Sequence, residues 1–135
     1  HGRHGGASIG PSGRAEPEIF GVALDGDGVA LIEDSDGGEI DGDGELDRAV
    51  GPMQFIPQAW RNWHIDANED GVEDPHSIDD AVMATANYLC RASGDVRSEG
   101  GWRQAIGAFN ASDAYIQSVA DVANRLAADA AVVTP

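Results

Sequence analysis

Apolar residues recur at helical spacing through most of the chain after residue 52 and follow no regular pattern before it. Pro57 suits the first turn of a helix, where a missing N–H costs nothing, so the pattern predicts a short helix from Pro57 to about Trp63. Ser77 is a good N-cap and has an acidic residue three positions later, which predicts that a second helix starts here and ends at Ser93-Gly94. A third helix is predicted over residues 101–109.

Two of the predicted helices carry an apolar stripe with three-four spacing, which is typical of a helix with one buried face. In the second helix the stripe consists of Ile78, Ala81, Val82, Thr85, Ala86 and Leu89. The fourth helix follows the N-cap Ser112, and its stripe consists of Ile116, Val119, Ala120, Ala123, Leu126 and Ala127. After Ala128 the residues are small and weakly patterned, so the helix is expected to fray there.

The first third of the chain is different, because glycine and aspartate dominate it. Two short apolar runs, residues 19–24 and 29–32, flank an Asp-Gly-Asp-Gly turn signal, which indicates a small hairpin. The chain is therefore expected to be one α+β domain over residues 1–135 that is mostly α-helical. It would have a loop-rich acidic region (1–47) and a helical part (48–130).

Charge narrows the range of functions. The net charge is −16 and all eight cations are arginine. Such a surface repels phosphate backbones and anionic headgroups, so neither nucleic acid nor a membrane surface is an expected partner. No stretch approaches the roughly 20 apolar residues that a transmembrane helix requires. The single cysteine, Cys90, lies in an apolar helical stretch and is expected to be a buried, unreactive thiol.

The most informative run spans residues 48–60, with the sequence Arg-Ala-Val-Gly-Pro-Met-Gln-Phe-Ile-Pro-Gln-Ala-Trp. Gly-Pro makes a rigid turn just before the first predicted helix. The Gln54 carboxamide can both donate and accept hydrogen bonds, as a sugar-binding cleft requires, and Met53 and Phe55 offer apolar surface for a pyranose ring. A turn that leads into a helix with ordinary core residues is the alternative interpretation.

This run resembles the Gly-x-Met-Gln-Phe-x-Pro signature of lytic murein transglycosylases, in the version of the membrane-bound lytic transglycosylase B family. Three other segments are similar to that family in the same order: the acidic stretch of residues 34–48, the Asn-Tyr-Leu of residues 87–89, and residues 109–115. The last segment resembles Tyr-Asn-x-Ser-x-x-Tyr, with Phe109 in place of the first tyrosine.

The resemblance implies a lysozyme-like domain that acts on peptidoglycan outside the cytoplasm, in the cell envelope or secreted. It implies cleavage of the β-1,4 bond between N-acetylmuramic acid and N-acetylglucosamine to a 1,6-anhydro product. It also implies a set of substrate contacts: Met53, Gln54, Phe55, Tyr88, Asn110 and Tyr115. The family's catalytic glutamate stands in a Glu-Ser-x-His-Gly-Arg context, and residues 1–3 match only its end. The general acid is therefore expected upstream of His1, and the 135-residue chain alone is expected to be nearly inactive.

An acidic segment after the first predicted helix resembles a calcium-binding loop. Asp66, Asn68 and Asp70 occupy positions 1, 3 and 5 with glycine at position 6, as in the first part of an EF-hand, and Val72 would contribute its carbonyl at position 7. Ser77 replaces the usual position-12 glutamate. The transglycosylase resemblance implies Asp80 as the last ligand, and thus a structural Ca²⁺ in residues 66–80. A solvated acidic turn is the alternative, and the 25–47 region is a weaker metal candidate.

Two other functions remain open at this stage. One is a catalytically inactive peptidoglycan-binding module, which a glutamate about three residues upstream of His1 would argue against. The other is a calcium-dependent protein-interaction module, which typically needs a duplicated calcium loop.

Overall fold

The structure is a computed structural model that describes residues 6–133, and the side chains of residues 132 and 133 are left out of that description. The described residues contain four helices and two small antiparallel sheets, which confirms a mixed α+β, mostly helical fold. The strands are β1 (Ser8–Ile9), β2 (Ala15–Glu16), β3 (Phe20–Ala23) and β4 (Arg48–Val50). The helices are α1 (Pro57–Trp63), α2 (Ile78–Ala92), α3 (Glu99–Phe109) and α4 (Asp113–Val133).

The chain divides into two compact units, residues 1–87 and residues 88–135, with the boundary inside α2. Unit 1 holds both sheets, α1 and most of α2. Unit 2 holds the end of α2 together with α3 and α4. The expected single domain stays a prediction.

Unit 1 is built around a short core. Val50, Phe55 and Trp60 are buried and join β4 to α1, while Ala81 and Ala84 are buried on α2. The Phe55 and Trp60 rings meet edge to face, with centroids 5.5 Å apart. The start of α2 is joined to the β1–β2 hairpin, because the Ile78 N–H donates to the Gly13 carbonyl at 2.9 Å.

The predicted starts of α1, α2 and α4 agree with the structure, whereas α3 begins at Glu99, two residues before its predicted start. Pro57 begins α1, and Ser77 and Ser112 each precede a helix and accept a backbone N–H near its start. The Ser98 hydroxyl caps α3 by accepting the Gly101 N–H at 3.1 Å. α4 continues to Val133, beyond the predicted point of fraying, because its alanine-rich end favours helix.

Three expectations differ from the structure. β3 pairs with β4, while the 29–32 run contributes an isolated bridge and one bond from the Ile32 N–H to the Leu24 carbonyl. Val82 is exposed, and α2 instead buries a face of four residues: Asp80, Ala81, Ala84 and Thr85. Cys90 is exposed, which makes its expected burial wrong. It lies nine residues after Ala81, about half a turn from the buried face at 100° per residue.

The apolar stripe predicted for α4 is mostly not buried. Only its first member, Ile116, is buried, and Leu126 is exposed. Unit 2 is small, and its core consists of Ala105 and Ile106 on α3 with Ile116 on α4.

Candidate active site

The Gly-Pro-Met-Gln segment forms a closed turn at residues 50–55. Val50 and Phe55 exchange both backbone hydrogen bonds, at 2.8 and 3.1 Å. The four residues between them form the tip, and Gly51 donates its N–H to the Ile19 carbonyl at 2.9 Å. The turn is thus fixed by backbone bonds at its base.

Gly51 is required by both conformation and space. Its φ is +72°, in the left-handed region that favours glycine. A Cβ at this position would lie 1.8 Å from the Pro75 carbonyl oxygen. The turn therefore packs its backbone directly against the segment that precedes α2.

Gln54 has a left-handed backbone as well, with φ +55°. Such a conformation costs a side-chain-bearing residue roughly 1–2 kcal/mol and is concentrated at functional sites. The Gln54 Nε2 donates to the Gly51 carbonyl at 3.0 Å, so the carboxamide is oriented across the turn. Its Oε1 lies against Gly21 of β3, where a Cβ would come within 3.4 Å.

The other two predicted contacts of the turn have different environments. Met53 is half-buried. Phe55 is only 3% exposed and packs on Trp60, so the structure places it in the core beneath the turn. Phe55 supports the turn from inside, and little of its ring is available to a sugar.

Arg48, which precedes the turn on β4, lies among acceptors. Its Nε and Nη2 donate to Asp43 Oδ2 at 2.9 and 2.8 Å, and its Nη1 donates to the Gly21 carbonyl at 3.3 Å. Asp41 Oδ2 accepts the Arg48 backbone N–H. The sequence assigned no function to this arginine.

Residues 34–47 form a first acidic loop, in which carboxylates accept backbone N–H groups. Asp34 accepts the N–H groups of residues 36, 37 and 38, and Asp36 accepts those of residues 38 and 40. Asp47 is fully buried and accepts the N–H and hydroxyl of Ser35. Among the described residues, Asp34, Asp36 and Asp47 form a group whose carboxylate oxygens lie within 4.8 Å of one another.

Hydrogen bonding also sets the ionisation of this loop. The Asp36 N–H is the main cause that holds the pKa of Asp34 below its usual value of 3.8. The Glu45 N–H, followed by Arg48, holds the pKa of Asp43 below the same value. Both carboxylates are therefore ionised at neutral pH, and the Asp43–Arg48 pair is a true ion pair.

Residues 66–80 form a second acidic loop, which contains the predicted calcium ligands. Asp66 accepts the N–H groups of Asp70 and Gly71 at 3.1 and 2.8 Å, and Asp70 accepts that of Val72 at 2.9 Å. Asp80 is fully buried and accepts the N–H groups of residues 67, 68 and 74.

The donors of the second loop fit calcium in kind, because they are carboxylate, amide and carbonyl oxygens. Asp66, Asp70 and Asp80 nevertheless do not form a group of converging oxygens like that of the first loop. Both oxygens of Asp66 and of Asp80 accept backbone N–H groups instead. The calcium site therefore stays a prediction.

The other three predicted substrate contacts lie in unit 2, with Tyr88 on α2 and both Asn110 and Tyr115 at the junction of α3 and α4. The Tyr88 hydroxyl donates to the Ala108 carbonyl at 2.8 Å, and its ring meets Phe109 edge to face at 5.5 Å. Asn110 ends α3, is exposed, and its Oδ1 accepts the Ser112 N–H at 3.0 Å. Tyr115 is half-buried on the first turn of α4. Tyr88 thus holds the end of α3, and the exposed Asn110 carboxamide follows directly.

A cavity of about 620 Å³ in unit 1 was not anticipated from the sequence. Trp60, His64 and His76 line it, whereas none of the six predicted substrate residues does. His76 is buried, its Nδ1 accepts the Ile19 N–H at 3.2 Å, and burial lowers its pKa below 6.5. The walls of this cavity come from four separate segments of the chain. The sequence therefore gives no pattern from which the cavity, or the position of its two histidines, could be predicted.

A second cavity, of about 520 Å³, lies in unit 2 between the start of α3 and α4. Trp102 is half-buried and lines it. The predicted substrate residues are absent from its walls also. They lie instead on the 50–55 turn of unit 1 and, in unit 2, near the end of α2 and at the α3–α4 junction.

The general acid expected upstream of His1 depends on residues 1–3, which lie outside the described residues. Within the described part of the chain, no helix is both long and apolar enough to cross a membrane.

Comparison with known proteins gives one match. The family model described as the transglycosylase SLT domain matches residues 30–104, a segment that contains both acidic loops and the 50–55 turn. No curated protein and no solved structure matches the chain.

Proposed function

Since the chain belongs to the transglycosylase SLT domain family, whose members act on peptidoglycan in the cell envelope, we propose that it is the glycan-binding and catalytic region of a lytic transglycosylase. The observation that carries the proposal is that the matched segment includes Gln54, whose left-handed backbone directs a carboxamide along the turn. The proposed subfamily is that of membrane-bound lytic transglycosylase B.

The proposed reaction cleaves the bond between C1 of N-acetylmuramic acid and O4 of N-acetylglucosamine. A glutamic acid upstream of residue 1 protonates the leaving O4. The muramic C6 hydroxyl oxygen then bonds to C1, and its proton passes to the carboxylate. The products are a 1,6-anhydro sugar and a free 4-hydroxyl, and no water is consumed.

The chain's own residues supply binding and orientation. The Gln54 carboxamide has one N–H that is not used by Gly51 and an oxygen beside Gly21, which suits the hydroxyl or acetamido groups of a sugar. Asn110 is exposed and keeps its amide N–H groups available while its oxygen accepts the Ser112 N–H. Neutral amides of this kind bind a glycan without adding charge to a protein of net charge −16.

The test is digestion of purified peptidoglycan, with products identified by mass spectrometry. A protein that contains this chain and the upstream glutamate is expected to release anhydro-muropeptides, and a glutamate-to-glutamine variant is not. Gln54→Ala is expected to reduce the rate about tenfold or more, the effect of one lost polar contact to the substrate. Gln58→Ala is the matched control, since Gln58 is an exposed glutamine on α1.

Hydrolysed sugars without an anhydro ring would contradict the proposed reaction. Glycan binding without any cleavage would instead favour an inactive binding module.

We also propose a structural Ca²⁺ in the second acidic loop, held by Asp66, Asn68, Asp70, Asp80 and the Val72 carbonyl. The hard oxygen donors support it, as does the EF-hand-like spacing of Asp66, Asn68 and Asp70 before Gly71. Calcium added after chelation is expected to raise the Tm, by an amount that corresponds to about 2.7 kcal/mol at a hundredfold excess over Kd.

Asp66→Asn should abolish that rise, whereas Asp36→Asn in the first loop should leave it intact. The opposite result would indicate that the calcium binds in the first acidic loop.

A further inference from the structure

We propose that Arg48 is a positioning residue for Gln54, acting through β3. Its guanidinium fixes the strand against which the Gln54 carboxamide rests. The inference rests on the proposed function only in that Gln54 is taken to bind glycan.

Arg48 joins three parts of unit 1. Two of its nitrogens donate to Asp43 of the first acidic loop, at 2.9 and 2.8 Å, and a third donates to the Gly21 carbonyl at 3.3 Å. The side chains of Arg48 and Asp43 are 34% and 22% exposed, so water screens their attraction only in part. A planar fork with donors in fixed directions suits this geometry, and the single point charge of a lysine does not.

Gly21 of β3 lies between the Arg48 guanidinium and the Gln54 carboxamide. A Cβ at Gly21 would lie 3.4 Å from Gln54 Oε1 and 3.3 Å from the Ala49 carbonyl oxygen, so the carboxamide faces β3 at Gly21 across the space of about one methyl group. A shift of β3 away from Arg48 would remove the surface behind the Gln54 oxygen. The guanidinium and the carboxamide thus both lie near Gly21 of β3.

The conformation of Gln54 explains why it requires such support. A left-handed, side-chain-bearing residue persists only where its surroundings hold it in place. The Gly51 carbonyl holds the Gln54 Nε2, and Gly21 lies against its Oε1. Without Arg48, one of these two restraints is weakened.

This assignment also gives the first acidic loop a function that requires no metal. Asp43 faces Arg48, and Asp41 accepts the Arg48 backbone N–H. Backbone N–H groups and the Ser35 hydroxyl already satisfy the Asp34, Asp36 and Asp47 carboxylates. The loop is a scaffold that holds the Arg48 guanidinium beside β3.

The experiment is a double-mutant cycle on glycan binding, with glycan strands freed of stem peptides as the probe and the same Ca²⁺ concentration for every variant. Arg48→Gln is expected to weaken the Kd roughly tenfold, the size of one lost charge-assisted bond. Arg48→Lys should recover little of this, because lysine cannot reach both acceptors. Arg61→Gln is the matched control, since Arg61 also donates to a carbonyl of the first acidic loop, that of Ser35.

The decisive comparison places Arg48→Gln in the Gln54→Ala background. If Arg48 acts through Gln54, its effect on Kd falls to less than about twofold there. An equal tenfold loss of glycan affinity in both backgrounds would overturn the inference. It would also be overturned if Arg61→Gln lowered the Tm and the glycan affinity as much as Arg48→Gln does. A Gln54→Ala variant that binds glycan normally would contradict the proposed function of Gln54 itself.

Discussion

The two acidic loops of unit 1 each contain seven acidic residues and have a similar construction, yet they place their carboxylates differently. Each is closed by a fully buried aspartate, Asp47 in the first and Asp80 in the second, that accepts N–H groups from the start of its loop. The first loop brings three carboxylates together, and the second, which has the better EF-hand spacing, does not form such a group.

This difference shows that spacing along the chain fixes which residues share a loop but not where their oxygens point. In both loops most of the hydrogen bonds that the carboxylates accept come from backbone N–H groups, which require no additional side chain. The loops also reach the 50–55 turn by different routes. The second touches it directly at Pro75, and the first reaches it through Arg48.

The largest effect on stability is expected at Gly51, where the second acidic loop contacts the 50–55 turn directly. Gly51→Ala should destabilise the protein by roughly 4 kcal/mol or more, because its Cβ would collide with the Pro75 carbonyl oxygen. Gly37→Ala is the matched control, since Gly37 has a similar φ of +76° and nothing within 4 Å of its would-be Cβ. It should cost only about 1 kcal/mol in urea denaturation. Equal losses would show that strain, rather than contact with the second loop, determines the glycine at position 51.

A smaller effect on the free energy of unfolding is expected from replacing the buried aspartate that closes each loop. Asp80→Ala leaves three backbone N–H groups of the second loop without an acceptor and should cost roughly 3–4 kcal/mol. Asp47→Ala affects only the N–H and hydroxyl of Ser35 and should cost roughly 2 kcal/mol. Chemical denaturation measures both, with Asp79→Ala as a control on an exposed neighbour in α2. A larger loss of stability for Asp47→Ala would contradict the expectation that Asp80 contributes more to the free energy of unfolding than Asp47 does.

Glycine usage provides a third comparison. The first loop has glycine at its positive-φ positions, whereas the second has Glu69, exposed and with φ +59°. Glu69→Gly should relieve this conformation and raise the unfolding free energy by up to about 1 kcal/mol. A decrease in thermal stability would mean that the Glu69 side chain contributes more than its backbone costs.

The smallest effect is expected from acid, acting on the first loop. The folded-state pKa values of Asp34 and Asp43 lie below 3.8, so these carboxylates stabilise the fold above that pH. Their contribution is lost as the pH falls below 3.8 and through the folded-state values. Urea midpoints measured from pH 5 downward should fall less steeply for Asp34→Asn than for the parent protein. Identical slopes would show that hydrogen bonds in the first loop do not affect stability.

Local signals predicted the helices well. Pro57, Ser77 and Ser112 each mark a helix start by a property of the residue itself, and the structure agrees. Burial was harder to predict, because it depends on what the rest of the chain supplies. Cys90 and Val82 have apolar neighbours in the sequence but lie outside the buried face of α2.

The sequence by itself determined the helical elements, the acidic character and, through the 48–60 run, the transglycosylase family. These depend on backbone preferences, on charge and on an ordered string of residue types, all of which are local. Only the tertiary structure decided that β3 pairs with β4, that Phe55 is buried, and that Arg48 donates to the Gly21 carbonyl. Each of these joins segments more than twenty residues apart or depends on packing, and hydrogen bonds between distant groups leave no periodic pattern in a sequence.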